Sequence, residues 1–383
     1  PGKIFNEPNG PNVYEGVPHD YTGDQATKDV FVRLLRGETM TVGSKKSLLS
    51  GPDDSVFVFF SGHGNTDYMY VIDGKLYSNE LQTILNHMAE QKMFKNLIMY
   101  IESCLSGSLF YRLVLPPNVY ATTAAPVGQS SFSIFRDVRS GIWLADAYSY
   151  YWMHDIETNN KQGRRFDEQF SYIQSQVGTS QVCRYGSKTL GTSSLNQFFG
   201  SSMKTHAKPL YEFNKSTTIP VFDIPLSSAR YKYENNKTNA NLKNLNKEIA
   251  IKKMVDRIGI AIVSAAVPSV PRLATPPCSR CDTSCICYDS CVEEYSDEYC
   301  SFECCNDQSC YEDPPSRFGA AHHQRQQCLY SLTHEYSKHC GFKHPYISHN
   351  EQLFRRLCKQ TSANITSAIE VIHTLCPDLH KLL

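Results

Sequence analysis

Two stretches of this chain end in residues able to do nucleophilic chemistry. Val56-Phe57-Val58-Phe59-Phe60 runs into Ser61-Gly62-His63-Gly64, and Leu97-Ile98-Met99-Tyr100-Ile101 runs into Glu102-Ser103-Cys104-Leu105-Ser106-Gly107-Ser108. A free cysteine thiol titrates near pH ~8.5, so at neutral or acidic pH it needs a base or a positive potential to become a nucleophile. His63 could take and return the proton. A helix beginning at Cys104, with Ser103, Ser106 and Ser108 available as caps, would favour the thiolate. The glycines flanking His63 allow close approach of a substrate, and the N–H groups of Gly64 and Cys104 could hold an oxyanion. A lone Cys and a lone His more often read as a core thiol and a loop imidazole. Two glycine-framed residues at successive strand ends turn that reading toward a cysteine hydrolase.

The elements that must position this pair follow from the pattern. Each apolar run is short, rich in β-branched and aromatic residues, and bounded by small polar ones, as buried parallel strands are. Between them, residues 78–92 carry Leu81, Ile84, Leu85 and Met88 at helical spacing. Strand-helix-strand then places His63 and Cys104 at the same edge of one sheet, facing a shared groove. Before this unit, residues 1–55 are turn-rich with one helix expected over 27–36. After it, 118–123 reads as a further strand and 125–140 as a Ser- and Gly-rich loop walling the cleft. Residues 142–153 and 166–177 read as helices, and 181–185 as a last strand with Cys183 a buried thiol. Asp146, taken alone, reads as readily as a helix-cap or surface carboxylate as it does a pocket acceptor.

Composition narrows the class. With 383 residues the chain can bury one large core and carry a second small domain. Lys plus Arg equals Asp plus Glu at 38 each, so a nucleic acid or an acidic membrane surface is not an expected partner. The longest apolar run, 258–267, is too short to span a bilayer. Sequons at Asn214, Asn236 and Asn364 are compatible with glycosylation. The chain starts at Pro1, where a leader sequence would not be visible.

With these residues in view, the sequence resembles the legumain, or asparaginyl endopeptidase, family of caspase-like cysteine proteases. The resemblance runs from Pro1-Gly2-Lys3-Ile4-Phe5-Asn6 to the region of Gly200 and resumes near the C-terminus. Its carriers are Val17-Pro18-His19-Asp20-Tyr21-Thr22-Gly23, the His63 loop, Glu102-Ser103-Cys104 and Tyr120-Ala121-Thr122-Thr123-Ala124-Ala125. It implies an α/β fold, a three-layer sandwich around a mostly parallel sheet, with a helical, disulfide-bonded C-terminal prodomain. It makes His63 and Cys104 the catalytic pair and Gly64 an oxyanion donor. Glu102, Ser131 and Asp146 match positions lining the pocket for the residue before the scissile bond. A primary amide has two N–H donors and one carbonyl acceptor, so carboxylates are sensible pocket walls for Asn. The resemblance implies protein and peptide substrates, no metal or organic cofactor, and a lysosomal, vacuolar or secreted location. The family's first strand, with the Arg, His and Asn it contributes, has no counterpart after Pro1. Gly62 stands where many members carry an aspartate associated with ligation, which points toward hydrolysis.

The expected domains are a catalytic unit over 1–200, a linker and activation-peptide region over 201–277, a cysteine-rich insert over 278–310 and a helical prodomain over 311–383. The family cleaves its activation region after Asn, and Asn235, Asn239, Asn241 and Asn244 are candidates; a glycan would obstruct Asn236. Nine cysteines lie in 278–310. With no His among them and no second pair at ribbon spacing, a disulfide knot fits better than zinc. By the resemblance Cys328 pairs with Cys358 and Cys340 with Cys376, making the prodomain an intramolecular inhibitor that caps the cleft. Eight of the thirteen histidines fall from His322 onward, so acidification is expected to charge this domain and weaken its hold. Two alternatives stay open: a catalytically inactive binding protein, and an enzyme related to glycosylphosphatidylinositol transamidase.

Overall fold

The computed structural model describes residues 2–159, 163–200, 217–267, 320–341, 344–358 and 363–383. The cysteine cluster of 278–310 and the start of the expected linker lie outside the described residues. In chain order the first elements are α1 (Lys28–Leu35), β1 (Ser55–Ser61), β2 (Gly64–Asn65), β3 (Tyr68–Val71), β4 (Gly74–Tyr77) and α2 (Ser78–Glu90). There follow β5 (Asn96–Glu102), β6 (Val119–Thr123), β7 (Phe132–Arg136), β8 (Trp143–Asp146), α3 (Ala147–Asn159), α4 (Phe166–Val177) and β9 (Cys183–Gly186). The short α5 (Lys188–Gly191), α6 (Asn196–Phe199) and β10 (Ile219–Pro220) lead into α7 (Ile224–Asn235) and α8 (Asn239–Ala266). The last helices are α9 (Ala320–Cys340), α10 (Glu351–Leu357) and α11 (Ile365–His380).

The central sheet has the order β1-β5-β6-β9, the first three strands parallel and β9 antiparallel to β6. Strand β5 shows why the sequence runs apolar without interruption. Leu97, Met99 and Ile101 enter one core with Leu81, Ile84, Leu85 and Met88 of α2. Ile98 and Tyr100 enter a second core on the other face, with Tyr148, Trp152 and Ile156 of α3 and Phe166, Phe170 and Ile173 of α4. A strand buried on both faces needs apolar residues at every position. The result is the expected three-layer α/β sandwich.

Two expectations need correction. The connection from β1 to α2 is not a simple loop but an antiparallel meander, β2-β3-β4. Its signal was in the sequence: aromatic and apolar residues from Tyr68 to Tyr77 broken by Asp73-Gly74, a hairpin signature. The stretch 125–153 is also not loop then helix. β7 and β8 form an antiparallel pair, β10 joins β7 on its other side, and the helix starts only at Ala147. A mixture of Trp, Tyr and Leu suits either element, so periodicity could not place that boundary.

The Asn- and Lys-rich segment placed in the linker and activation-peptide region is helical in α7 and α8. Thr238 accepts a hydrogen bond from the Asn241 N–H and caps the start of α8. Farther along α8, Ile251, Val255, Ile258 and Ile262 pack on Leu332 and Tyr336 of α9 and on Ile372 and Leu379 of α11. Disulfides join Cys328 to Cys358 and Cys340 to Cys376. Among the described residues, no helix is long and apolar enough to cross a membrane.

This helical unit docks on the β3-β4 hairpin through a buried polar contact. Glu351 accepts hydrogen bonds from the Tyr68 hydroxyl and the Ser337 hydroxyl, and pairs with Lys75 at 3.2 Å. Lys75 also donates to Ser337 and lies 4.0 Å from the centre of the Tyr68 ring. Both charges are nearly buried, with side-chain exposures of 10% for Lys75 and 1% for Glu351. Such a pair costs desolvation to form, but removing one partner strands the other. Glu351→Gln is therefore expected to weaken docking by about 3–5 kcal/mol. Adding Lys75→Met should restore part of that loss, a non-additivity that urea denaturation of the four-member cycle measures.

Candidate active site

His63 and Cys104 are brought to one sheet edge by strand register. In the β1–β5 pairing Ser61 lies opposite Glu102, so the two residues stand at matched positions just beyond their strands. The junction is locked by the Gly62 N–H, which donates to the Glu102 carbonyl at 3.0 Å, and by the Tyr70 N–H, which donates to the His63 carbonyl at 2.8 Å. Gly64 has to be glycine because the backbones meet there. A Cβ on it would lie 2.5 Å from Ser103 Oγ and 2.9 Å from the Cys104 carbonyl oxygen.

The turn after Cys104 is tighter than a helix start. Leu105 is in the left-handed region at φ 53°, and only a four-residue 3-10 turn, Ser106–Leu109, follows. The expected serine caps are stitches between loops instead. Ser106 Oγ donates to the Ala125 carbonyl at 3.3 Å, and Ser108 Oγ donates to that of Asn65 at 3.0 Å while accepting from the Asp67 N–H at 2.7 Å. So short a turn offers little dipole to hold a thiolate.

The expectation of a shared open groove holds for His63 and fails for Cys104. A cleft of about 310 Å³ is lined by His63, Ser133, Trp143, Asp146, Val221 and Ile224, among others. His63 is open to solvent on one side, yet the walls around it push its pKa below the ordinary histidine value. Cys104 has no exposed surface, because Val221 and Phe222 lie over it beside Leu105. Burial drives its thiol up to about 12, with Ser131 countering part of the effect. Ser131 Oγ lies 3.6 Å from Cys104 Sγ. As it stands, the sulfur is a neutral thiol.

The covering segment is held from both sides. Ile219 and Pro220 pair antiparallel with Ser133 and Phe132 of β7, and the Val221 N–H donates to the Ser131 carbonyl at 3.1 Å. Behind the segment, the ring of Phe222 meets that of His349 edge-on at 6.3 Å between centres. Helix α7 is strapped to the β7–β8 hairpin. Tyr231 donates its hydroxyl proton to the Val138 carbonyl at 2.6 Å, and Arg136 lies 4.2 Å from the centre of its ring.

Glu102 and Asp146 are drawn together as a carboxylate pair, with Ser131 beside Glu102. Glu102 accepts from both the N–H and the hydroxyl of Ser149 at 2.9 Å, while its Oε1 makes no hydrogen bond among the described residues. Asp146 accepts from the Ser133 hydroxyl. Burial raises the pKa of both groups, and for Glu102 the Asp146 charge adds to it. A buried, half-satisfied carboxylate next to a cleft is well suited to take an N–H of a ligand amide. Ser133 and Ser149, which hold the pair, were not legible in the sequence, since the pairing of β7 with β8 decides which serines face the carboxylates.

Two outcomes follow from these shifts. The folded state keeps protons on Glu102 and Asp146 that the unfolded chain releases near pH ~4, so the pair favours the fold most in acid and less as pH rises. Glu102→Gln should accordingly gain stability at pH 7 and show a flatter acid-to-neutral stability profile in denaturant titrations. Alkylation of Cys104, followed peptide by peptide with iodoacetamide, should be slow at pH 8 and rise about tenfold per pH unit toward 11. Phe222→Ala should accelerate it at every pH.

Residues 1–202 match the Peptidase C13 family. The chain is 34% identical to human legumain over 285 residues, 71% of this chain and 66% of the human protein. It is 33% identical to cattle legumain over 307 residues, 77% and 70% of the two chains. It is 34% identical to a vacuolar-processing enzyme of Vicia sativa over 218 residues, 53% and 44% of the two chains. A family match over half its length, laid across the sheet that carries His63 and Cys104, means that this chain belongs to the Peptidase C13 family.

Proposed function

We propose that the chain is a cysteine endopeptidase that hydrolyses peptide bonds after Asn, and after Asp at lower pH, and that it is held latent by its own C-terminal half. The observation that carries this is the register of β1 against β5, which sets an imidazole and a thiol beyond adjacent parallel strands. In the mechanism, His63 accepts the thiol proton as Cys104 Sγ attacks the carbonyl carbon. The N–H groups of Gly64 and Cys104 stabilise the oxyanion, and His63 returns the proton to the leaving amine. Water then hydrolyses the thioester. Glu102, Ser131 and Asp146 select the side chain, a protonated carboxyl donating to the amide oxygen and an ionised one accepting from its nitrogen.

Latency is supported by what covers the nucleophile. Residues 219–222 occupy both the strand edge that an extended substrate would use and the space over Cys104. Acid release through the many C-terminal histidines finds little support. His344 pairs with Glu248 at 2.8 Å and His373 with Glu335 at 2.7 Å, contacts that lie within the helical unit and not across its docking face. Glu351 is the better candidate for controlling release, because its buried pair with Lys75 spans the contact between the helical unit and the β3–β4 hairpin. Of the candidate activation residues, Asn239, Asn241 and Asn244 lie in α8, whereas Asn235 ends α7 and is followed by exposed, extended Asn236. A protease reads extended backbone, so the bond after Asn235 is the best substrate. The names and likeness of the relatives support a lysosomal or vacuolar setting.

An Asn-based, thiol-reactive probe tests the reading on the full chain. Labelling should map to Cys104 after exposure to pH 4.5 and be weak at pH 7. Cys104→Ala should abolish labelling and peptide hydrolysis, and Asp146→Ala should lower kcat/KM on Asn substrates by about 10²-fold or more. A chain that never labels at Cys104 after acid exposure would instead be an inactive binding protein.

A further inference from the structure

Away from the cleft, Glu335, His339 and His373 point their ligating atoms at one another, all within 4.8 Å. Glu335 and His339 are one turn apart on α9, and His373 comes from α11. Glu335 Oε2 lies 2.7 Å from His373 Nε2 and 3.3 Å from His339 Nε2, and the two imidazole rings are 4.2 Å apart. We propose that these three residues form a binding site for a divalent transition-metal ion, with Zn²⁺ the best fit, that ties α9 to α11.

The geometry is already close to what the ion needs. Tetrahedral zinc, with ligands at about 2.0–2.2 Å, holds its donor atoms about 3.3 Å from one another. One of the measured separations has that value, and side-chain rotation can supply the rest. Two imidazole nitrogens and one carboxylate oxygen suit zinc, whereas Mg²⁺ and Ca²⁺ prefer all-oxygen shells. The backbone is fixed at both ends of the site: Cys340 follows His339 directly, Cys376 lies one turn beyond His373, and the two are disulfide-bonded. Ligands on a cross-linked pair of helices lose little freedom on binding, so the ordering cost is small. All three side chains are partly exposed, which leaves an entry path and a fourth position for water. The ion would brace the helical unit that lies behind Phe222, with no part in the chemistry at Cys104.

The test uses the full chain, first stripped with EDTA and then titrated with ZnCl₂ at pH 7.5 in a calorimeter. One binding event should disappear in His339→Gln/His373→Gln and weaken at least tenfold in Glu335→Gln, and MgCl₂ should produce none. Zinc should raise the melting temperature of the native chain, EDTA should reverse the rise, and the double variant should show no rise. Because the chain has other cysteines, Co²⁺ is added in parallel. Tetrahedral cobalt bands that depend on the histidines and lack a thiolate charge-transfer component place the ion here. Should the double variant fold poorly, His373→Gln alone, on the more exposed side, must lose the event. Zinc binding that is unchanged by these substitutions, or absent altogether, would overturn the proposal.

Discussion

The hydrogen-bonded register of β1 on β5, with Ser61 opposite Glu102, is the constraint on which the candidate site depends. Side chains alternate along a strand, so a slip of one residue would exchange the two cores and carry His63 away from Cys104. What prevents the slip is the commitment of both faces of β5, whose odd- and even-numbered residues belong to different apolar clusters. The reactive residues themselves contribute little to that choice. They sit where the ladder ends, in turns held by Gly64 against the Ser103-Cys104 backbone.

The closed state follows from ordinary physical chemistry. A thiol becomes useful when water or a positive group can stabilise its charge, and over Cys104 the chain supplies Val221 and Phe222 instead. The same few residues that dehydrate the sulfur also complete a three-stranded sheet by pairing with β7. Burial of Cys104 and occupation of the β7 edge are therefore one structural event. The polar contact around Glu351 adds a charge-dependent element to an otherwise apolar closure.

Much of this was legible in the sequence. The two strand-end motifs, α2 and α4 followed from periodicity and small-residue punctuation, since a doubly buried parallel strand has few ways to look different. The meander after His63 has an equally plain signal at Asp73-Gly74, but it is short beside the helical period that starts at Leu81. The β7–β8 hairpin was hidden, because Trp143-Leu144-Ala145-Asp146 serves helix and strand alike until a partner strand is known. The cover over Cys104 was the least legible feature. Val221 and Phe222 are ordinary apolar residues, and only the tertiary path puts them on a thiol more than a hundred positions earlier in the chain.

The placement of the cysteines has a further consequence. Before residue 236 the chain has only Cys104 and Cys183, and neither is disulfide-bonded, whereas the two disulfides among the described residues lie wholly beyond it. Among the described residues, no sulfur-sulfur bond therefore spans the short connection between α7 and α8. A single backbone break there would separate the unit of α8 to α11, internally stapled and free to dissociate, while Val221 and Phe222 stay joined to the half that carries Cys104. The residence of that unit on the β3–β4 hairpin would then depend on dilution, which an unbroken chain cannot sense.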